Sequence, residues 1–311
     1  MVSIGSGQSP GGGLDVPDQL ATKESGLPIG GQFGAPEVLL KARSENFPVA
    51  SHLLPKKARA NLMAIYGFAR LTDDLGDEAD GDRLAMLDWL EAELERAAVG
   101  EATHPVLCQL TPLIESLDLS LEPFRALIEA NRMDQRVTRY ESFGDLVEYC
   151  MLSAAPVGRL VLSVFGVSTP ERVALSDKVC IALQLVEHLQ DIGEDARRGR
   201  VYMPAQDMRR LGCGEEDLLA NRASSPLRNL VAMEVSRARD LLGAGTPLAA
   251  SLPLRPRAAV AGFVAGGLAA LDSIDRAGND VLGTLCRPAK TRFVGRALSG
   301  LLAASAKRGR S

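Results

Sequence analysis

Two short acidic clusters lie more than a hundred residues apart inside stretches that are otherwise apolar and helix-forming, DDLGDE from Asp73 to Glu78 and QDIGED from Gln190 to Asp195. Each sets carboxylates four positions apart, about one helical turn. Leu62, Ile65, Tyr66, Ala69, Asp73 and Asp77 fall on one helix face, so the acids continue a stripe that packs inwards. Gln184, Glu187, Asp191, Glu194 and Asp195 form a polar line on a second helix, whose other sides carry Val179, Ile181, Leu183, Leu185, Val186, Leu189 and Ile192. A helix that is apolar on nearly every side belongs in an interior. Buried charge is costly unless compensated, so the fold has to open both acidic lines onto an internal chamber.

That arrangement suits divalent metal and polyphosphate. Magnesium prefers oxygen ligands and is usually held by one or two carboxylates together with substrate phosphates and waters. Either cluster alone also reads as a solvated acidic helix end; the pair, set on apolar faces with basic neighbours, favours the chamber. Arg70 lies one turn before Asp73, and Arg197, Arg198 and Arg200 follow Asp195. Arg70 and Arg200 are read as diphosphate ligands, and Arg197 and Arg198 as partners of nearby acids at a helix C-terminus.

Three stretches carry a family resemblance: ENFPVASHLLPKKARANLMAIYGFARLTDDLGDE (45–78), YCMLSAAPVG (149–158) and ALQLVEHLQDIGEDARRGRVYMP (182–204). In this order they resemble the signatures of the squalene/phytoene synthase family, and ENFPVAS with LQD looks most like its hopanoid-associated HpnC branch, the hydroxysqualene synthases. The resemblance implies an all-α isoprenoid-synthase bundle around a central cavity with a magnesium cluster. By matching position, Asp73, Asp74 and Asp77 correspond to the first aspartate-rich motif, and Asp191 and Asp195 to the second. Tyr66, Arg70, Tyr149, Gln184, Arg200 and Tyr202 fall where the family places residues around diphosphate or the reacting carbons, and Val157 of the middle signature is carried over as substrate-facing. Tyr66 and Tyr149 also read as ordinary half-buried aromatics.

Departures from the family pattern are informative. Gln190 and Glu187 stand where many relatives have arginine and asparagine, so a positive charge is lost and a negative one gained beside the metal site, with Glu187 joining the ligand set. Gly267 falls where several relatives present a tyrosine, which predicts a roomier, wetter cavity suited to quenching a carbocation with water. Gln190 reads either as the residue orienting that water or as a packed amide. The implied reaction is ionisation of presqualene diphosphate, made by a sister synthase, followed by water capture to hydroxysqualene without nicotinamide. The alternatives are a squalene or phytoene synthase condensing two prenyl diphosphates, and an inactive helical lipid-binding scaffold.

Hydrophobic residues make up 46% of the 311-residue chain, ample for a core. Ala-, Leu-, Arg- and Glu-rich runs predict helices near 55–79, 82–99, 121–138, 143–166 (kinked by Pro156), 170–196, 225–245, 256–278 and 289–306. Residues 1–36 are rich in Gly, Ser and Pro and read as a disordered leader without a secretory pattern, ahead of a helical domain over 37–290 and a basic amphipathic segment over 291–311. The leader's Gly7, Ser9 and Gly11 match the G-x-S-x-G hydrolase pattern but lack the strand and helix it needs. Cys108, Cys150, Cys180, Cys213 and Cys286 lack metal-ligand spacing and read as reduced thiols of a cytoplasmic protein. His52, His104 and His188 give no zinc pattern, and His188 reads as a core or supporting residue beside the polar line.

A net charge of −4 does not point to nucleic acid as a partner. From Val281 onward there is no acid, while Arg287, Lys290, Arg292, Arg296, Lys307, Arg308 and Arg310 are interleaved with Phe293, Val294, Leu298, Leu301 and Leu302. This segment reads either as resting on anionic lipid at the inner face of the plasma membrane or as a final packed helix with a frayed tail. No uninterrupted apolar stretch is expected to reach the ~20 residues that span a bilayer.

Overall fold

Helical periodicity governs the chain, and among the described residues no strand forms beyond a single bridge between Arg139 and Val201. The structure, a computed structural model, describes residues 56–283. Helix α1 (Lys56–Asp73) runs into a π-helical turn over Asp74–Glu78. Then follow α2 (Arg83–Ala98), α3 (Pro105–Leu117), α4 (Glu122–Asp134), α5 (Phe143–Ser153), α6 (Ala155–Val164) and α7 (Pro170–Arg197). Beyond α7 come α8 (Ala205–Leu211), α9 (Glu215–Leu218), α10 (Ser225–Gly245), α11 (Pro247–Ser251) and α12 (Leu254–Arg276).

Local chemistry sets the boundaries. Thr169 Oγ1 accepts from the Arg172 amide and Pro170 opens α7, satisfying the usual start signals, while Arg197 sits in the last turn where cations are favoured. Ser142 and Asp145 close a reciprocal capping box on α5. The predicted 143–166 helix is divided at Ala154, two residues before Pro156, whose missing N–H places it in the first turn of a new helix. Helix α3 was not anticipated, because Pro112 lies inside it; burial of Val106, Leu107, Leu110, Leu113 and Ile114 outweighs the lost hydrogen bond.

Two apolar cores result. One is built by α1 to α4 with Leu160 of α6, and includes Phe68 and Phe124, whose rings meet edge to face at 5.1 Å. The other is organised around α7, which packs against α5, α6 and α9 to α12, most extensively against α10. Helices α4 and α6 join the two cores, whereas α1 and α7 make little direct contact. The seam between them is where the acidic residues meet.

The 289–306 helix, the basic tail and the Gly/Ser/Pro-rich leader lie outside the described residues. One expectation is narrowed and one is corrected. The segments Phe143–Val164 and Leu254–Arg276 are long and apolar enough, by length and composition, to cross a membrane; the first is broken at Ala154, and both supply residues to the α7 core. Gly267 does not open a cavity: it is buried at a helix crossing, where an added Cβ would lie 2.7 Å from Leu183 Cδ2 and 3.0 Å from Leu242 Cδ2.

Gly245 permits the tightest approach of α10 to α7. A Cβ there would stand 2.6 Å from Val179 Cγ2 and 3.0 Å from the Leu175 carbonyl oxygen. Gly245→Val is expected to lower stability by about 1–3 kcal/mol in urea unfolding. Gly262→Ala, where a Cβ meets nothing within 4 Å, is expected to leave stability unchanged or raise it by up to about 1 kcal/mol.

Candidate active site

The seam encloses a polar chamber of about 280 Å³. Asp73 and Asp77 reach it from α1 and the π-helical turn; Asn131 and Asp134 from α4; Tyr149 and Ser153 from α5. The opposite wall is α7, contributing Gln184, Glu187, His188, Asp191 and Asp195, and the following segment adds Arg198, Arg200 and Tyr202. Ser153, Gln184 and Glu187 also border a second cavity of about 210 Å³, which is apolar and lined by Val157, Val161, Leu162, Val179, Leu183, Leu248, Val260 and Phe263. A charged mouth therefore leads into a greasy pocket.

The π-helical turn aims the first cluster. Its widened winding, with the Ala79 amide donating to the Asp74 carbonyl at 2.9 Å, carries Asp77 onto the chamber beside Asp73. Gly76 makes the turn fit against α4: a Cβ would fall 2.1 Å from Asn131 Oδ1. At that contact Asn131 Nδ2 donates to Asp73 Oδ1 (3.3 Å) and Gln135 Nε2 donates to the Gly76 carbonyl (2.9 Å). The segment after α7 is pinned similarly, the Val201 amide donating to the Thr138 carbonyl and the Ala205 amide to the Tyr140 carbonyl, both at 2.9 Å. This places Arg200 Nη2 2.7 Å from Asp77 Oδ1, an ion pair closing one end of the chamber.

Most residues singled out from the sequence converge, but not all. Asp74 faces away, 3% exposed and ion-paired to Arg70 at 2.7 Å, and Arg70 also binds Glu78 at 2.8 Å. The i, i+4, i+8 spacing sets these three in a line about 100° of helix away from the Asp73 and Asp77 stripe, and neither Asp74 nor Arg70 is among the lining residues. Tyr66 and Gln190 are half-buried and likewise outside the lining, and Glu194 turns outward to pair with Arg198 at 2.8 Å. Gln190 is one residue, about 100° of helix, off the line of Glu187 and Asp191. Arg198, read as an ordinary helix-end partner, reaches the chamber rim as well.

Helix α4 was expected near 121–138, but its contribution to the site was missed. Asn131 and Asp134, one turn apart beside Leu127 and Ala130, show the same polar-on-apolar pattern as the two acidic clusters, in a weaker form. Asp134 accepts from Tyr149 Oη (2.8 Å, to Oδ2) and Tyr202 Oη (3.4 Å, to Oδ1). Tyr202 stacks on His188 at 3.9 Å and on Tyr140 at 5.7 Å. His188 is buried, and desolvation holds its imidazole down to about 3, so it is neutral.

Electrostatics mark the chamber as short of cations. Burial pushes the Asp195 carboxyl up to about 7, and Asp191 beside it adds repulsion that Arg198 and Arg200 only partly offset. Asp73 shifts to about 7 for the same leading reason, opposed by the Asn131 amide and reinforced by Asp77. Its side chain is open to the chamber yet ringed by helices, so it lacks the hydration of an outer surface. Asp134 rises to about 6 through burial, offset by the Tyr149 hydrogen bond and Arg200. Among the described residues no three His, Cys, Asp or Glu side chains form a ready-made metal cage. Asp73, Asp77, Glu187, Asp191 and Asp195 are instead an open set of hard oxygen donors, fitting a divalent ion that keeps positions for water and phosphate oxygens.

An all-helical bundle whose seam holds facing carboxylates above an apolar pocket is the isoprenoid-synthase architecture, and the comparisons agree. The squalene/phytoene synthase family model matches residues 40–294, and the chain belongs to that family. Over 214 residues it is 40% identical to the hydroxysqualene synthase of Rhodopseudomonas palustris, spanning 68% of this chain and 72% of the relative. It is 37% identical to that of Zymomonas mobilis, again over 214 residues, 68% of this chain and 71% of the relative. The crystal structure of squalene synthase HpnC from Alicyclobacillus acidocaldarius superposes with a TM-score of 0.74 at 44% identity, covering 78% of this chain and 92% of that one. The chain is thus a prenyltransferase-type enzyme.

Because the folded-state value of Asp195 is raised, its destabilising effect is absent below its unfolded value near 4 and complete above about 7. Asp195→Asn is therefore expected to raise the melting temperature of metal-free protein most above pH 7. The gain should shrink as pH falls from 7 to 4, as followed by differential scanning fluorimetry.

Proposed function

We propose that this enzyme is a hydroxysqualene synthase: it ionises presqualene diphosphate, lets the cyclopropylcarbinyl cation rearrange, and captures it with water. The observation that carries this reading is the continuity of the acidic mouth with the apolar pocket through Ser153, Gln184 and Glu187. A diphosphate ester of a long hydrocarbon needs both halves. The hydroxysqualene synthases among its relatives support the assignment. A sister synthase that makes presqualene diphosphate would supply the substrate, in a route leading to squalene and hopanoids.

Asp73, Asp77, Glu187, Asp191 and Asp195, which line the chamber, are the groups that would hold magnesium, the proposed cofactor. When bound, the metal neutralises charge on the departing diphosphate. Arg200 and Arg198 supply guanidinium donors to the same oxygens. Val157, Leu183 and Phe263 hold the hydrocarbon and exclude bulk water. Tyr149, Tyr202 and neutral His188 present ring surface where positive charge develops. Asp74 and Arg70 support the turn instead of touching substrate. With water as the quencher, no nicotinamide is required. Peripheral association with the inner membrane face, through the basic C-terminal segment, remains part of the proposal because the product is a nearly water-insoluble alcohol.

A squalene synthase that condenses two farnesyl diphosphates is favoured by one observation, the name of the HpnC structure. Incubation of purified protein with magnesium and either farnesyl diphosphate or presqualene diphosphate, with and without NADPH, separates the two. Hydroxysqualene from presqualene diphosphate alone is expected; squalene formed from farnesyl diphosphate only when NADPH is present defeats the proposal. Asp191→Asn is expected to cut turnover by about 10²-fold or more while circular dichroism stays helical. Calorimetric binding of inorganic diphosphate should require magnesium, as it would not in an inert lipid-binding scaffold.

A further inference from the structure

We infer that Asp134, acting through Tyr149, is the proton acceptor for the water that terminates the reaction. This inference rests on the water-capture reading above and adds to it the fate of the proton. Hydration of a carbocation yields an alcohol only once an oxonium proton is removed; without an acceptor placed at the water, capture reverses and the cation is left to rearrange or to lose a C–H proton to another base such as the departing diphosphate. Asp134 in the chamber accepts from two phenols: Tyr149 Oη donates at 2.8 Å to one oxygen and Tyr202 Oη at 3.4 Å to the other. The acids of the two aspartate-rich motifs are committed differently, as the facing donors for a cation, and Asp77 is already paired with Arg200. Asp134 stands on α4, between the metal-facing carboxylates and the aromatic wall made by Tyr149, Tyr202 and His188.

The hydrogen-bond direction has a chemical consequence. Because Tyr149 spends its proton on Asp134, the phenol's lone pairs are left to accept from a water in the chamber. His188 is buried and stacked on Tyr202. Its neutral ring adds no charge that would repel a nearby cation.

The step balances. A C–O bond forms between the water oxygen and the cationic carbon. One O–H bond of that water breaks, its electron pair staying on the new hydroxyl, and the proton passes to Tyr149 Oη as Tyr149 gives its own proton to Asp134 Oδ2. No oxidant or reductant is consumed, and Asp134 returns its proton to solvent when product leaves. Asp134 is a positioning and proton-accepting residue that works through Tyr149, not a metal ligand.

The test uses the full-length enzyme with magnesium and presqualene diphosphate, measuring diphosphate by a coupled assay and organic products by gas chromatography. Per diphosphate released, hydroxysqualene from Asp134→Asn is expected to fall by about tenfold or more, replaced by olefins formed when another base removes a C–H proton from the cation. Asn retains an acceptor for Tyr149 but cannot take a proton, so a merely structural role would leave this ratio unmoved. Tyr149→Phe is expected to shift the products the same way, and Asp134→Glu to restore part of the hydroxylated fraction. An unchanged ratio in both Asp134→Asn and Tyr149→Phe overturns the inference and assigns the proton to the departing diphosphate. Failure of the wild type to make hydroxysqualene from presqualene diphosphate overturns both this inference and the function on which it rests.

Discussion

Opposition of like charges across a seam is the constraint on which the rest of this structure depends. Asp73 and Asp77 face Asp191 and Asp195 from helices that barely touch, and each pair is backed by a separate apolar core. Carboxylates cannot close on one another without a counter-cation, so the two cores are held together elsewhere, by α4 and α6, and the gap becomes a chamber. Where a permanent cation is built in, at Arg200 and Asp77, the gap is bridged directly. The raised values of Asp73 and Asp195 express the same unbalanced charge.

Small residues and irregular winding convert that gap into a shaped site. Gly76 lets α4 approach the π-helical turn closely enough for Asn131 and Gln135 to fix it, and Gly245 brings α10 against α7, seating the long helix that carries three of the five oxygen donors. Rigidity matters for chemistry that discriminates by electrostatics, because donors that need not reorganise stabilise developing charge most effectively. The polar and apolar cavities then share a border of three residues, Ser153, Gln184 and Glu187, which is where the reactive carbon of a bound diphosphate ester would lie.

Helix α7 was legible because its pattern is extreme: apolar on most sides, with Gln184, Glu187, Asp191 and Asp195 in line, it has few ways to be buried. The Asp73 and Asp77 stripe was legible by the same rule. Asp74 misled, since adjacency within a motif turns the side chain by about 100°, and Arg70 at i−4 pairs with it off the chamber stripe. Gln190, read either as orienting water or as a packed amide, lies off the chamber line for the same angular reason. Gly267 was read as empty space, but Leu183 and Leu242 fill it, because packed interiors leave few voids.

What the sequence alone determined is periodic and local: an all-helical chain, the two acidic lines, the break near Pro156, and the three stretches carrying the family resemblance, all consequences of 3.6-residue spacing and the price of burying charge. What only the tertiary structure decided is which distant residues meet. Asp134 reaches Tyr149 across 15 positions and Tyr202 across 68, and Arg200 reaches Asp77 across 123. Those contacts depend on how α4, α5 and the segment after α7 are docked. The docking is set by non-directional packing of two cores, from which no pattern along a single helix can be read.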